Sequence, residues 1–235
     1  MPTDAAPLGR PLLLLNLKAY PNCLGPGAER IGRILARRGA AASVPVALAA
    51  AAPDLGLLAR RLRLPILAQH VDPDPAGAHT GAIVAESLVS AGVRGSLVNH
   101  SEHPVPDAVA AAAVARLREV GLPAVVCAPN VAAARRLARL RPPYLAVEPP
   151  ELIGGNRSVS TARPEVIRDT VDAVRRVSPL TRVLCGAGVH DREDVRRALE
   201  LGSEGILVAS AVTRAEDPDA AVRELLQGYP TRRKR

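Results

Sequence analysis

The chain alternates short apolar runs with longer amphipathic stretches, and this alternation recurs eight times. The runs lie near residues 12–16, 44–49, 65–69, 95–99, 123–127, 144–148, 181–185 and 205–208. Helix-start signals follow them, such as GPGAER, VPDA, TARPE and HDREDV, with acidic residues in the first turn. Alternating strands and crossover helices are typical of a parallel sheet. Eight such units in 235 residues predict an α/β fold, a closed (β/α)8 barrel in one domain over residues 1–235. An open doubly wound sheet is the alternative.

Composition narrows the class of protein. Hydrophobic residues make up 48% of the chain and charged residues 23%, and no apolar segment approaches the roughly 20 residues of a membrane helix. The run PLLLLNL near the N-terminus is too short for a signal-peptide core. Cys23, Cys127 and Cys185 are odd in number and follow no metal-ligand spacing, so we expect reduced structural thiols. These features predict a cytoplasmic protein that does not associate with membranes.

The net charge of +8 raises the question of a nucleic-acid partner. The arginines occur in scattered pairs without aromatic residues between them to stack on bases, and the only basic cluster is a tail at about residues 230–235 that we expect to be disordered. We therefore predict a solvated basic surface rather than specific nucleic-acid binding, with weak salt-sensitive polyanion binding as the alternative. Lys18 and Lys234 are the only lysines among 31 basic residues, which suggests that position 18 requires a compact ammonium group.

Polar side chains follow three of the predicted strands. Asn16 and Lys18 close the first strand, His100 and Glu102 follow the fourth, and Glu148 ends the sixth. The βα loops of a barrel meet at one rim, where catalytic groups gather. The sequence therefore predicts an ammonium, an imidazole and a carboxylate around one pocket.

The last two strands end in small residues. CGAG occupies residues 185–188 and ASA occupies residues 209–211. Small side chains allow backbone N–H groups to approach an anion, and the loops after the seventh and eighth strands are the usual phosphate position in such barrels. A small phosphorylated substrate is the expected partner.

Seven segments together resemble triosephosphate isomerase of the shorter archaeal type. They are NLKAY, AQHVDP, GAHTG, LVNHSEH, AVEPPELIGG, VLCGAG and EGILVASAV, in order from about residue 12 to 227. The resemblance implies interconversion of dihydroxyacetone phosphate and D-glyceraldehyde 3-phosphate through an enediolate, without a cofactor. It also implies a role in glycolysis, gluconeogenesis and the pentose shunt, and a homo-oligomer, either a tetramer or a dimer.

The resemblance implies roles for individual residues. Glu148 corresponds to the catalytic base, His100 to the electrophile, and Lys18 to a catalytic and substrate-binding cation. Glu102 is expected to support the site from outside, as a partner of Lys18. Further substrate contacts are expected from Asn16, Ile153, Gly188, Ala209 and Ser210.

Two neighbouring features have simpler interpretations. His70, His79 and His103 do not combine with His100 in a metal-ligand spacing, so no metal is predicted. Glu151 lies beyond the predicted strand and is interpreted as a hinge or surface residue. A turn opened by residues 101 and 102 is expected to be helical and to keep the His100 imidazole neutral.

The segment after Glu148 departs from the family pattern. Following Ile153 and Gly154, the family usually continues with threonine, glycine, any residue, proline, valine and serine, whereas this chain has GNRSVS at 155–160. This segment is the expected lid, and Pro104 stands where an arginine is common. Two alternative hypotheses follow: an isomerase of the same fold for a larger sugar phosphate such as a tetrulose phosphate, and a barrel that binds sugar phosphate or polyanion without turnover.

Overall fold

The structure, a computed structural model, describes residues 8–149 and 158–230. Within these ranges eight parallel strands follow one another around a barrel, and the last strand pairs with the first, with Leu12 opposite Gly205. This closure confirms the (β/α)8 TIM barrel and excludes the open sheet. The strands are β1 (Leu12–Asn16), β2 (Val46–Ala50), β3 (Ile66–Ala68), β4 (Ser96–Val98), β5 (Ala124–Ala128), β6 (Tyr144–Val147), β7 (Arg182–Cys185) and β8 (Gly205–Val208).

Helices occupy the connections between the strands. Across the described ranges they are α1 (Pro26–Ala42), α2 (Leu55–Arg61), α3 (Ala85–Ser90), α4 (Asp107–Glu119), α5 (Val131–Leu137), α6 (Val159–Ala162), α7 (Pro164–Val177), α8 (Arg192–Glu200), α9 (Ser210–Thr213) and α10 (Pro218–Leu226). Several begin at the predicted signals. Asp191 caps α8 by accepting the N–H of Asp194, and Asp217 caps α10 in the same way, because such caps satisfy N–H groups that lack helical partners.

The barrel interior is filled by inward-facing side chains of alternate strand residues. Successive residues of a strand point to opposite faces, so one set fills the interior and the other meets the helices. The buried interior set is Leu12, Leu14, Ala47, Ala49, Leu67, Leu97, Val125, Cys127, Tyr144, Ala146, Leu184 and Leu207. The barrel interior is therefore a packed core, and a pocket can form only at the ends of the barrel.

A second, larger core lies between the strands and the helices. Ile31 and Leu35 of α1 and Val174 of α7 are fully buried there, against outward-facing strand residues such as Leu48. Burying each such side chain stabilises the fold by about 2 kcal/mol relative to exposure. This double core fixes the strand ends, and hence the rim on which the site is built.

Two strands are shorter by two residues than the sequence predicts. β3 and β4 each have three residues, where the apolar runs predicted five. At the end of β4, Asn99 adopts a left-handed conformation with φ of 61°, which stops the ladder. At its start, Gly95 packs so tightly that a Cβ would lie 2.7 Å from the carbonyl oxygen of Pro123.

In the described ranges, no helix combines the length and the apolar character needed to cross a bilayer. The predicted basic tail beyond residue 230 lies outside the described residues, as do residues 150–157, which include the first part of the expected lid at 155–160. The same holds for Glu151 and Ile153, whose expected roles remain predictions. The last three residues of the expected lid are described: Ser158 caps α6, and Val159 and Ser160 begin that helix.

Candidate active site

The alternation of strand residues places Asn16 and Glu148 at the mouth of the barrel. On β1, Leu12 and Leu14 face inward and Asn16 is next in the same series; on β6, Tyr144 and Ala146 are followed by Glu148. The backbone N–H of Glu148 still donates to the carbonyl of Ala128 at 2.8 Å. The carboxylate is therefore held by the sheet ladder.

His100 reaches the site through an irregular residue. Asn99 lies in the left-handed region, its amide donates to the carbonyl of Cys127 at 2.9 Å, and its side-chain oxygen accepts the N–H of Val105 at 3.0 Å. These two bonds hold a conformation that a non-glycine residue rarely adopts. His100 is consequently buried at the rim, with 7% exposure.

Lys18 also has a left-handed backbone, with φ of 53°. Its N–H donates to Asn16 Oδ1 at 3.0 Å, while the Gln69 amide donates to both Asn16 Oδ1 and the Lys18 carbonyl, at 3.0 and 2.9 Å. Gln69 thus fixes the ends of β1 and β3 together. The sequence alone assigned Gln69 no role, although its position directly after a strand is the signal that marked the other site residues.

The hydrogen bonds of His100 define its tautomer. The backbone N–H of Glu102 donates to Nδ1 at 3.2 Å, so Nδ1 accepts and the proton of the neutral ring lies on Nε2, which faces the pocket. Burial lowers the pKa of His100; Lys18 adds to this effect and Glu102 opposes it. Residues 101–103 form a hydrogen-bonded turn rather than the predicted helical turn, and a single N–H group takes the place of a helix dipole.

Two donors converge on one point in the pocket. Asn16 Nδ2 and His100 Nε2 lie 3.4 Å apart, and Asn16 Oδ1 is already occupied by two donors. Because both facing atoms carry hydrogens, they cannot satisfy each other. A ligand oxygen atom within hydrogen-bond distance of both nitrogens would accept from both.

Glu148 is a buried carboxylate beside this point. It is 3% exposed, its Oε1 lies 3.6 Å from His100 Nε2, and Oε2 has no hydrogen-bond partner among the described residues. Burial raises the pKa of Glu148 to about 7, opposed by a hydrogen bond from the Cys127 thiol and by the charge of Lys18. Cys127 was interpreted from the sequence as a structural thiol alone; its place on the inward face of β5 brings it to the base.

Gly186, directly after β7, leaves the space that Glu148 occupies. A Cβ at this position would lie 2.5 Å from Glu148 Cγ and 3.1 Å from the carbonyl oxygen of Val147. No side chain fits there without displacing the carboxylate or the strand. The first glycine of CGAG is therefore required by the placement of the Glu148 side chain.

Lys18 and Glu102 form an ion pair at the edge of the pocket. Lys18 Nζ lies 2.6 Å from Glu102 Oε1, and the two side chains are 13% and 55% exposed. The ammonium therefore faces the pocket while its partner faces solvent. A water-exposed partner is readily exchanged for a bound anion.

The structure brings the predicted residues to one pocket. Glu102 contacts it through Lys18 and His100, and Ile153 lies outside the described residues. Among the other lining residues, Ser210 begins α9 and Gly188 adopts a left-handed φ of 64°. The lining residues are Asn16, Lys18, His100, Glu148, Gly186, Gly188, Val189, Leu207, Val208, Ala209 and Ser210.

Other titratable groups lie apart from this pocket. His70 contacts Asp72 at 3.1 Å and His79 contacts Asp74 at 3.4 Å. Among the described residues, no group of three or more histidine, cysteine or acidic side chains is arranged to hold a metal ion. Each of the three cysteines is buried and free.

The fold and the site together define a TIM-barrel enzyme whose pocket contains a buried carboxylate beside an imidazole. The family model for triosephosphate isomerase matches residues 11–227. The chain belongs to the triosephosphate isomerase family.

Curated relatives named triosephosphate isomerase cover nearly the whole chain. The protein from Methanothermus fervidus is 42% identical over 93% of this chain and 99% of its own. The protein from Cenarchaeum symbiosum is 46% identical over 92% of this chain and 97% of its own. The protein from Archaeoglobus fulgidus is 43% identical over 92% of this chain and 96% of its own. Nothing in these comparisons favours the hypotheses of a larger substrate or of binding without turnover.

Proposed function

We propose that this enzyme interconverts dihydroxyacetone phosphate and D-glyceraldehyde 3-phosphate, with Lys18, His100 and Glu148 carrying the chemistry. Family membership over residues 11–227 supports the activity. The observation that carries the residue roles is the meeting of a buried carboxylate and a neutral imidazole, 3.6 Å apart, in a pocket that also contains an ammonium.

Glu148 is the base that moves the proton between the two carbons. A proton on carbon beside a carbonyl is weakly acidic, so the base must be poised near the working pH. A pKa of about 7 for Glu148 meets this requirement, because the group is partly ionised at neutral pH and still accepts a proton well. The same carboxylic acid then returns the proton to the neighbouring carbon.

His100 and Asn16 stabilise the charge that develops on oxygen. As the proton leaves carbon, the carbonyl oxygen becomes an enediolate oxygen, and donors already aimed at that position favour the transition state. Nε2–H of His100 and Nδ2–H of Asn16 converge there. A glutamate base paired with a neutral histidine is the established scheme for triosephosphate isomerases, and the roles given to Glu148 and His100 follow that scheme.

Lys18 and the loops after β7 and β8 hold the anionic part of the substrate. The Lys18 ammonium exchanges its solvent-exposed partner Glu102 for the substrate. Gly188, Ala209 and Ser210 line the same pocket, and backbone N–H groups of these loops are proposed to donate to the phosphate oxygens. Ile153 is proposed to add a further backbone contact.

We place the enzyme in the cytoplasm as a homo-oligomer, a tetramer or a dimer, serving glycolysis, gluconeogenesis and the pentose shunt. Family membership supports the glycolytic step, and three free, buried cysteines are compatible with a reducing compartment. Sedimentation of the purified chain measures the oligomeric state; a monomer at micromolar concentration would contradict this part of the proposal.

A coupled assay with glyceraldehyde 3-phosphate tests the function. We expect turnover that Glu148→Asp and His100→Gln each lower by at least about 100-fold, because each removes correctly placed acid–base or electrostatic catalysis. His103→Gln is the matched control, since His103 is exposed on the same turn. Full activity in the Glu148 or His100 variant would refute the assigned roles, and activity confined to tetrulose phosphates would refute the substrate.

A further inference from the structure

Asp194 is a buried carboxylate near the site that lines no part of the pocket. It occupies the third position of α8 and is 9% exposed. Its Oδ2 accepts the backbone N–H of His190 at 3.0 Å, and its Oδ1 lies 3.4 Å from Ser160 Oγ and 3.3 Å from Thr161 Oγ1. One carboxylate therefore joins two segments that are remote in sequence.

The first segment is the loop at residues 186–190, which follows β7 and carries Gly186 and Gly188 into the pocket. The second is α6, whose Val159 N–H donates to the carbonyl of Ala187 at 3.2 Å. Asp194 contacts both segments and does not itself line the pocket. It thus holds the loop that carries Gly186 and Gly188 into the pocket.

Capping of α8 does not explain the burial of Asp194. Asp191 is the cap and accepts the N–H of Asp194 at 2.9 Å. Removing a carboxylate from water is costly unless its oxygens are well hydrogen-bonded, although the first turn of a helix favours negative charge. The Asp194 carboxylate is buried despite this cost, and its two oxygens accept from two different segments. We therefore interpret it as the group that connects the 186–190 loop to α6.

We propose that Asp194 is a positioning residue for substrate phosphate: it fixes the 186–190 loop against α6 so that the loop backbone meets the phosphate group. The inference rests on the proposed function. Asp194 acts through the loop and does not touch the substrate. The energy of binding the substrate phosphate is used to hold the reacting carbon against Glu148. A displaced loop therefore slows proton transfer to Glu148.

Asp194→Asn provides the test, because asparagine has the same size but only one oxygen to accept with. Its NH2 group cannot accept from the His190 N–H or from the hydroxyls, so one side of the connection is lost. We expect kcat/KM for glyceraldehyde 3-phosphate to fall roughly 10- to 100-fold, the effect of misplacement by about 1 Å. For glyceraldehyde, which lacks the phosphate, the change should stay within about two-fold, measured as deuterium incorporation at carbon 2 in D2O.

The ratio of kcat/KM for glyceraldehyde 3-phosphate to kcat/KM for glyceraldehyde distinguishes a displaced phosphate loop from a general loss of folded structure. Asp191→Ala is the matched control: it removes the cap at the start of the same helix, where the Asp191 side chain accepts the Asp194 N–H, and losing such a cap costs about 1 kcal/mol. We expect a loss of thermal stability similar to that of the Asp194 variant, with the substrate ratio unchanged. Thr161→Val removes a single hydroxyl donor and should shift the ratio in the same direction by a smaller factor; it also serves if the Asp194 variant does not fold.

The outcomes are distinct. A selective loss on the phosphorylated substrate in Asp194→Asn and Thr161→Val, absent from Asp191→Ala, supports the proposal. An unchanged ratio, or an equal fall for both substrates, overturns it while leaving the isomerase function intact. Wild-type protein inactive on glyceraldehyde 3-phosphate would instead contradict the proposed function, and weaker binding of inorganic phosphate by Asp194→Asn would then still test the inference.

Discussion

At the scale of single residues, the site depends on the different effects of burial on two groups. Burial disfavours the charged form of each, so it raises the pKa of Glu148 and lowers that of His100. The first becomes a base near neutral pH and the second stays uncharged. Burial in one pocket therefore sets both protonation states, and Cys127 and Lys18 moderate the effect on Glu148.

The pH dependence of kcat/KM follows from these shifts. Glu148 must be ionised to act, so we expect activity to fall with decreasing pH through about 7. The titration of His100 causes no loss of activity above pH 7, because its pKa is lowered and the imidazole is already neutral there. Cys127→Ala removes a hydrogen bond that lowers the pKa of Glu148 and should move the acid limb to higher pH.

Cys185→Ala is the control for this shift, since Cys185 is equally buried on a nearby strand. Comparing variants on one substrate cancels the ionisation of the substrate phosphate, which itself occurs near pH 6. The measurement is the pH profile of kcat/KM from about pH 5 to about pH 9, a range that brackets the pKa of Glu148. An acid limb at the same pH in the Cys127 variant and wild type would show that the thiol does not influence the base.

The burial of Glu148 also predicts a cost to stability. Its pKa is about 7 in the folded chain against 4.5 for the ordinary group, so ionisation favours the unfolded chain, and stability is lost as pH rises from about 4.5 to 7. Glu148→Gln removes this loss. We expect the variant to be more stable than wild type by up to about 3 kcal/mol at pH 8 and by little at pH 4, as measured by urea unfolding. A gain independent of pH would indicate another cause.

Most of the reacting groups can be predicted from the sequence, because each is a polar residue directly after an apolar run. Gln69, the last residue of the run predicted at 65–69, satisfies the same rule, and its hydrogen bonds to Asn16 and Lys18 show its role. Cys127 and Asp194 could not be predicted: the role of each depends on a partner in another strand or helix. Their types, a buried thiol and a helix-start aspartate, are ordinary at such positions.

At the scale of elements, the loop after β7 contacts Glu148 and also contributes the proposed phosphate contact at Gly188. Gly186 packs against Glu148, Gly188 turns the chain, and His190 is held by Asp194. The sequence predicted the strand order and the location of this loop, because the apolar runs and their spacing determine both. It could not predict the short β3 and β4, since Asn99 stops β4 through bonds to Cys127 and Val105.

Gly186→Ala tests this dual role of the loop. The added Cβ would lie 2.5 Å from Glu148 Cγ, so the carboxylate must move, and we expect kcat to fall by about 100-fold. Gly56→Ala is the control, because the nearest atom there is the end of the flexible Arg60 side chain at 3.3 Å, and alanine favours the helix. Steady-state kinetics and thermal unfolding of both variants are the measurements. Unchanged kcat in Gly186→Ala would mean that the carboxylate has room that the structure does not show.

At the scale of the whole molecule, the chain carries a large positive charge that the reaction itself does not use. Exposed arginines form ion pairs such as Arg192 with Glu224 and Arg33 with Glu29, and such pairs stabilise little individually. The net charge of +8 nevertheless produces a field that extends beyond any pair. An anionic substrate approaching the pocket is attracted by that field, and salt weakens the attraction.

We therefore expect kcat/KM for glyceraldehyde 3-phosphate to fall by at least about two-fold between 10 and 200 mM salt, as the screening length shortens from about 30 Å to below 10 Å. Glyceraldehyde is the matched control, because a neutral substrate is not attracted and its kcat/KM should not change. Deleting residues 232–235 removes four basic residues and halves the net charge to +4. The truncated enzyme should keep its kcat and show a weaker dependence on salt. Loss of kcat on truncation would place the tail in the catalytic machinery, and equal salt dependence for both substrates would mean that salt acts on the protein rather than on the encounter.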